Sequence, residues 1–226
     1  MSNPKTNNGA GTTANKDGSD DTQAYLRACQ TEFWQRVFRA ELEYLLQHLE
    51  GRTEVLSVGC GPAVLESSLS ERAFHVTGLD VSQEALACVP DGIRTIAGRA
   101  EDMDFPKSSF DAVIYVASLQ FIEDYRKAIE KTAQVLRPTG KLIVMLLNPQ
   151  SEFYKEKAED PRSYIRKIRH TNLEEIERTI AEHFHTQTEY FMGVKDGRVF
   201  QSQSPAEASL YVVRGMRKRP REDLEA

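Results

Sequence analysis

Cysteine is scarce here: Cys29, Cys60 and Cys88 are the only three in 226 residues. An odd, scattered set with no Cys-x-x-Cys spacing excludes a disulfide framework and a clustered-thiolate zinc site. No His-Glu-x-x-His stretch and no Ser/His/Asp constellation stands in for them, so no metal ligand set is expected. No run of about 18 apolar residues occurs, which leaves nothing to read as a membrane-spanning helix and no membrane partner. Residues 1–20 lack the apolar core of a secretory signal. An excess of positive charge is absent as well. Lys and Arg number 29 against 34 Asp and Glu, a formal net charge of −5. A phosphate-tracking protein needs a concentrated positive field, so duplex DNA is an unfavoured partner. These absences together give the expectation of a reducing, cytoplasmic location.

What remains is ordinary globular material, 40% hydrophobic and 28% charged, of a length that one core serves. Residues 1–20 are rich in Asn, Gly, Thr, Ser and Lys and too poor in apolar side chains to offset their ordering entropy. They are expected to form a disordered tail ahead of a single domain over 21–216, with a charged tail over 217–226. Within 21–50 the apolar positions Tyr25, Cys29, Phe33, Val37, Phe38, Leu42, Leu45, Leu46 and Leu49 fall at three-and-four spacing. That marks an amphipathic helix or helix pair, stopped by Gly51.

Short strand-like runs then alternate with helical ones. Strands are expected at Glu54–Val58, His75–Asp80, Ile93–Ala97, Ala112–Val116 and Lys141–Leu147. Helices are expected at Pro62–Ser70, Gln83–Cys88, Ala128–Leu136 and Leu173–Phe184. Alternation of this kind gives βαβ units and a mostly parallel, doubly wound α/β sheet of Rossmann-like type, with helices on both faces. Thr186–Phe191 and Ser209–Arg214 read as two last strands. Their link, Gly193–Pro205, has no helical pattern and therefore suits an antiparallel pair. The expected total is seven strands, the last antiparallel. Residues 148–170 are an insertion after the fifth strand.

In such a sheet a ligand binds beyond the carboxyl ends of the strands, where strand order reverses. The turn Gly59-Cys60-Gly61 follows the first strand and lets a ligand approach without a Cβ in the way. Asp80 ends the second strand, placed to accept hydrogen bonds from a ribose diol. The third small residue of the dinucleotide fingerprint is missing, since Val64 occupies its slot and the small residue, Ala63, comes one earlier. The site is a nucleoside site, and the pattern is not that of NAD.

Four stretches in order carry a more specific signal. Val55 to Ala63 resembles motif I of class I S-adenosylmethionine-dependent methyltransferases. Gly78-Leu79-Asp80-Val81-Ser82, with Leu86, resembles motif II. Gly98 to Pro106, then Ser109-Phe110-Asp111, resembles the adenine-binding loop and fourth strand. Val135 to Leu142 resembles the motif before the fifth strand. The full series is similar to the type 11, small-molecule branch of that superfamily, whose sheet is seven-stranded with an antiparallel last strand.

That resemblance implies S-adenosylmethionine as cofactor, with S-adenosylhomocysteine as product. It implies that Gly59, Cys60 and Gly61 face the methionine part and that Asp80 holds the ribose. Val81 and Met103 would sandwich the adenine, the Ala100 backbone with Glu101 or Asp102 would read its edge, and Ala117 and Ser118 would lie beside the sulfonium. The sequence departs from the family at Ser57, where Asp or Glu is usual, at Ala63, where Gly is usual, and at Leu119-Gln120-Phe121, where many members carry His.

The implied reaction is in-line methyl transfer to a small-molecule acceptor, with no covalent intermediate. Candidates for a polar group facing the acceptor are Gln120, Tyr115, Tyr154 and His170, although a neutral amide has no basicity to offer. Arg162, Arg166 and Arg169 would meet an acidic acceptor or simply face solvent. His48, His75, His183 and His185 have no motif context and read as structural. The N-terminal helices and the 148–170 insertion would cover the acceptor. Two other readings of the same residues are a non-catalytic cofactor-binding regulator and a protein or RNA methyltransferase. The oligomeric state is unreadable.

Overall fold

The computed structural model describes residues 23, 24 and 26–218. The expected tail over 1–20, and residues 219–226, lie outside them. A helix, α1, spans Glu32–His48. It follows a separate helical stretch at 26–29, so the amphipathic segment is a pair. Thr31 separates the two by capping α1, its hydroxyl accepting from the Trp34 N–H as Ser/Thr caps do.

Then come β1 (Glu54–Val58), α2 (Val64–Ser70), β2 (His75–Asp80), α3 (Gln83–Leu86), β3 (Arg94–Ala97) and β4 (Phe110–Val116). The second half holds α4 (Tyr125–Val135), β5 (Leu136–Leu147), α5 (Glu152–Glu159), α6 (Leu173–His183), β6 (Phe184–Lys195), β7 (Arg198–Phe200) and β8 (Ala208–Arg217). Three short 3-10 turns, Ala100–Asp102, Leu119–Phe121 and Tyr164–Lys167, complete the described chain.

All strands join one sheet in the order β3-β2-β1-β4-β5-β8-β6-β7. Pairing is parallel from β3 to β5 and antiparallel from β5 outward. The sheet is thus α/β and doubly wound as expected, with eight strands in place of seven. The extra strand, β7, arises inside the expected Gly193–Pro205 link, where Asp196 and Gly197 adopt positive φ and fold Arg198–Phe200 back against Gly193–Lys195. A tight turn with two left-handed residues is the geometry a short hairpin requires.

Strand residues alternate between two cores. Leu56, Val58, Val113, Tyr115, Leu142 and Val144 face α4 and α6. Val55, Ala112, Ile114, Ile143 and Met145 face α1, α2 and α5. Burial on both faces explains why β4 and β5 read as continuous apolar runs. Chain order runs outward from β1 to β3, then returns to the other side of β1 as β4. The reversal therefore falls between β1 and β4, where two loops part and a crevice opens.

Candidate functional site

The turn after β1 is shaped by contact with the end of β4. Gly59 has φ +74°, and a Cβ there would come within 2.5 Å of the Ser118 Cβ. The Ser118 hydroxyl in turn donates to the Val58 carbonyl at 2.6 Å. Two alanines share the left-handed backbone of this region, Ala63 (φ 56°) and Ala117 (φ 47°). Non-glycine residues rarely adopt it, and when they do they concentrate at functional sites.

A cavity of about 380 Å³ opens at this point, within the usual range for a cofactor site of about 300–1,000 Å³. Of the expected cofactor residues, Gly59, Asp80, Val81, Ala100, Glu101, Ala117 and Ser118 line it. Asp80 accepts the Gly61 N–H on one carboxylate oxygen and the Ser82 N–H on the other, both at 2.8 Å. An ionised carboxylate has about four acceptor positions, so two remain for a diol while two fix the turn. Glu101 is buried and accepts from Arg99 at 2.5 Å. Arg99 also reaches Glu123 at 3.0 Å. Val81 is 69% exposed at the rim, an apolar surface available to a planar ring. Apolar walls and carboxylates of this kind fit a nucleoside, with acceptors for its ribose hydroxyls and exocyclic amine.

A second cavity, of about 660 Å³, adjoins the first and shares Gly59 and Ala117 with it. Cys60 and Gly61 line this one. Burial, reinforced by the charges of Glu66 and Asp80, pushes the Cys60 thiol well above its ordinary range, so it is no nucleophile. Trp34, Val37, Phe38 and Glu41 of α1 line the far wall, with Phe153 and Tyr164 of the 148–170 insertion.

Several other expected site residues stand outside both linings or are held by other partners. Met103 is packed in the core below the first cavity and lines neither. Asp102 points outward and is ion-paired with Lys127 at 2.8 Å. Tyr115 is wholly buried and bonded to the Thr132 hydroxyl at 2.7 Å. Gln120 is equally buried, and its amide is spent on the Leu147 N–H and carbonyl and on the His170 carbonyl. Both are braces of the fold. His170 lies against Tyr125, its Nε2 at 2.9 Å from the Ile122 carbonyl. Tyr154 is half-buried beside the second core and lines neither cavity, whereas its neighbour Phe153 does. Arg169 lines the first cavity and Arg162 the second, while Arg166 bonds the Ala158 carbonyl.

Glu41 was not among the expected site residues. Its signal was available: it falls at i+4 from Val37 and i−4 from Leu45, inside the buried stripe of α1. It is 5% exposed. Glu66 is also buried and accepts from the Ser57 hydroxyl at 2.6 Å. Ser57 thus brings a carboxylate to its own position through a hydrogen bond. Burial, with the Glu66 charge nearby, raises the Glu41 carboxyl to about 8. Burial raises Glu66 to about 7, against the lowering effect of the Ser57 bond.

Residues 56–144 match the family described as Methyltransferase domain. Those residues are an S-adenosylmethionine-dependent methyltransferase domain. The expected cofactor and enzyme class are those of this family. The chain is similar to a ubiquinone biosynthesis O-methyltransferase of Alkalilimnicola ehrlichii, 32% identical over 50% of either protein. It is also similar to an uncharacterized methyltransferase of Bacillus subtilis, 28% identical over 54% of this chain and 72% of that one. The match to an uncharacterized protein of Methanocaldococcus jannaschii covers 62% of that protein, so the chain spans between half and two thirds of the length of the first relatives it matches.

In fold it resembles a Thermotoga maritima structure described as a methyltransferase, possible histamine N-methyltransferase. The TM-score is 0.75 at 18% identity, covering 88% of this chain and 97% of that one. An Archaeoglobus fulgidus methyltransferase gives 0.69 at 13% identity, covering 86% and 99%. The matched domain contains the first cavity's lining except Arg169. It leaves out α1, the 148–170 insertion and the last three strands.

Proposed function

We propose that the whole chain transfers the methyl group of S-adenosylmethionine to a small-molecule acceptor seated in the larger cavity. The observation that carries this reading is the junction of the two cavities at Gly59 and Ala117. In this reading Asp80 holds the ribose, Glu101 and the Ala100 backbone meet the adenine, and the Gly59–Gly61 turn carries the methionine part. The sulfonium supplies an already activated methyl. This chain's residues then have to align an acceptor behind it and keep water out. Alignment alone accounts for about 7–11 kcal/mol of a bimolecular barrier. Trp34, Phe38 and Phe153 supply a mainly apolar enclosure for that purpose.

The test is to incubate the protein with methyl-labelled S-adenosylmethionine and a cell extract split by molecular mass. Label is expected in the low-mass fraction. Label that stays with protein or RNA would overturn the small-molecule reading.

A further inference from the structure

The larger cavity contains a charge problem. Glu41 lines it, is nine-tenths buried, and has no hydrogen-bond partner among the described residues. A buried carboxylate without a partner is costly, and nearby groups ordinarily relieve it. Here one ionisable neighbour makes matters worse. Glu66, from α2, adds like charge. Tyr164, across the cavity, is close enough for the Glu41 charge to raise its phenol, second to burial itself. Lys157, Arg162 and Lys167 line the same cavity, and none of them lowers the Glu41 carboxyl. The Lys157 ammonium lies 6.0 Å over the Phe153 ring. Arg162 lies 3.8 Å from Asp160, with a largely exposed side chain.

Aromatic side chains line the same cavity as this carboxyl. Trp34, Phe38 and Glu41 lie at i, i+4 and i+7 on α1 and therefore share a face. All three line the cavity, with Tyr164 opposite. A carboxylate among aromatic rings is a seat for an organic cation, since ring faces attract a desolvated ammonium by about 2 kcal/mol or more.

We propose that the acceptor in this cavity carries a basic nitrogen, and that Glu41 holds its N–H and takes up the proton that must leave before methylation. This rests on the larger cavity being the acceptor site. The amine enters as an ammonium, the proton resident on Glu41 leaves to solvent as it arrives, and Glu41 then takes one proton from the ammonium, leaving a neutral amine and a neutral carboxyl. The nitrogen lone pair forms the N–C bond as the C–S bond breaks, and that electron pair stays on sulfur as a neutral thioether. The product is the N-methylated ammonium, so charge balances. A carboxyl raised toward the range of an amine is a better matched base than an ordinary one.

The experiment is calorimetric binding to protein saturated with S-adenosylhomocysteine, using phenethylamine and its neutral isostere 2-phenylethanol. Wild type is expected to favour the amine by at least tenfold. At pH 7, titrations in buffers of different ionisation heat should show close to one proton released per amine bound, because the resident proton on Glu41 leaves when the ammonium arrives. Glu41→Gln should lose both the preference and the proton release while keeping its affinity for S-adenosylhomocysteine. Glu41→Leu provides a second variant should Gln fold poorly. No amine preference in wild type, or a preference retained in both variants, overturns the proposal. Loss of S-adenosylhomocysteine affinity in the variants also overturns it, by assigning Glu41 to the cofactor's own ammonium. Failure of S-adenosylhomocysteine to bind wild type would instead strike at the methyltransferase reading.

Discussion

At the scale of single residues, Asp80 carries the largest load. It accepts two backbone N–H groups, and in the proposed function its two remaining acceptor positions hold a ribose. Hydrogen bonds to a charged group contribute about 1.5–3 kcal/mol each. Asp80→Ala is therefore expected to weaken S-adenosylhomocysteine binding at least tenfold, read by calorimetry. It also releases the Gly61 N–H, so part of the loss is a loosened turn. Glu41 and Glu66 give a pH prediction. Their folded-state values of about 8 and about 7 stand above the ordinary 4.5. The protonated forms favour the folded state, so this stabilisation is present below about 4.5 and lost as pH rises through about 7–8. The melting temperature without ligand should fall across that window, and Glu41→Gln should flatten the fall. A melting temperature that rises there instead would show both carboxyls to be paired. The Gly-x-Gly turn and Asp80 were legible in the sequence because glycine and a strand-ending acid signal locally. Tyr115, Gln120 and Met103 were not, since only the packed sheet decides whether a polar or apolar side chain faces a cavity or a core.

At the scale of elements, the start of β4 is tied to its neighbours by Asp111. Its carboxylate accepts the N–H groups of Thr53 and Glu54 at the head of β1, and from Arg137 at 2.5 Å. Burial would raise its pKa, but these donors outweigh it and hold the carboxyl at about 2. Asp111→Ala is expected to cost about 1.5–3 kcal/mol, measured as a lower denaturation midpoint with unchanged m-value. In wild type this contribution persists above about 3.8 and fades as pH falls through about 2. At the other end of β1, Gly59→Ala sets a Cβ against Ser118. It should lower S-adenosylhomocysteine affinity at least tenfold, and adding Ser118→Gly should restore part of that loss. If Gly59→Ala binds normally, the close approach of the two loops is not what shapes the cavity. The parallel half of the sheet was readable because its strands alternate with helices at regular intervals. β7 was not, because three residues turned back by Asp196-Gly197 carry too short a pattern to separate from a loop.

At the scale of the whole molecule, the two cavities have different histories in the chain. The smaller is built almost wholly within residues 56–144. The larger takes walls from α1, the 148–170 insertion and the strands beyond 190. Those outer walls cannot be taken away without cost, for Leu45 of α1 and Leu49 just beyond it are fully buried in the core beneath them. Removing α1 is expected to unfold the domain, detected as loss of a cooperative thermal transition. Phe153→Ala is gentler and should change acceptor KM more than cofactor affinity.

Gly59 and Ala117 belong to both rooms. A doorway made of two small residues carries no chemical preference of its own and leaves each tenant's identity to the walls behind it. Mutation can therefore redecorate one room without disturbing the lease on the other. On the proposed function, a lineage that keeps the doorway is free to change its acceptor while continuing to draw on the same methyl donor.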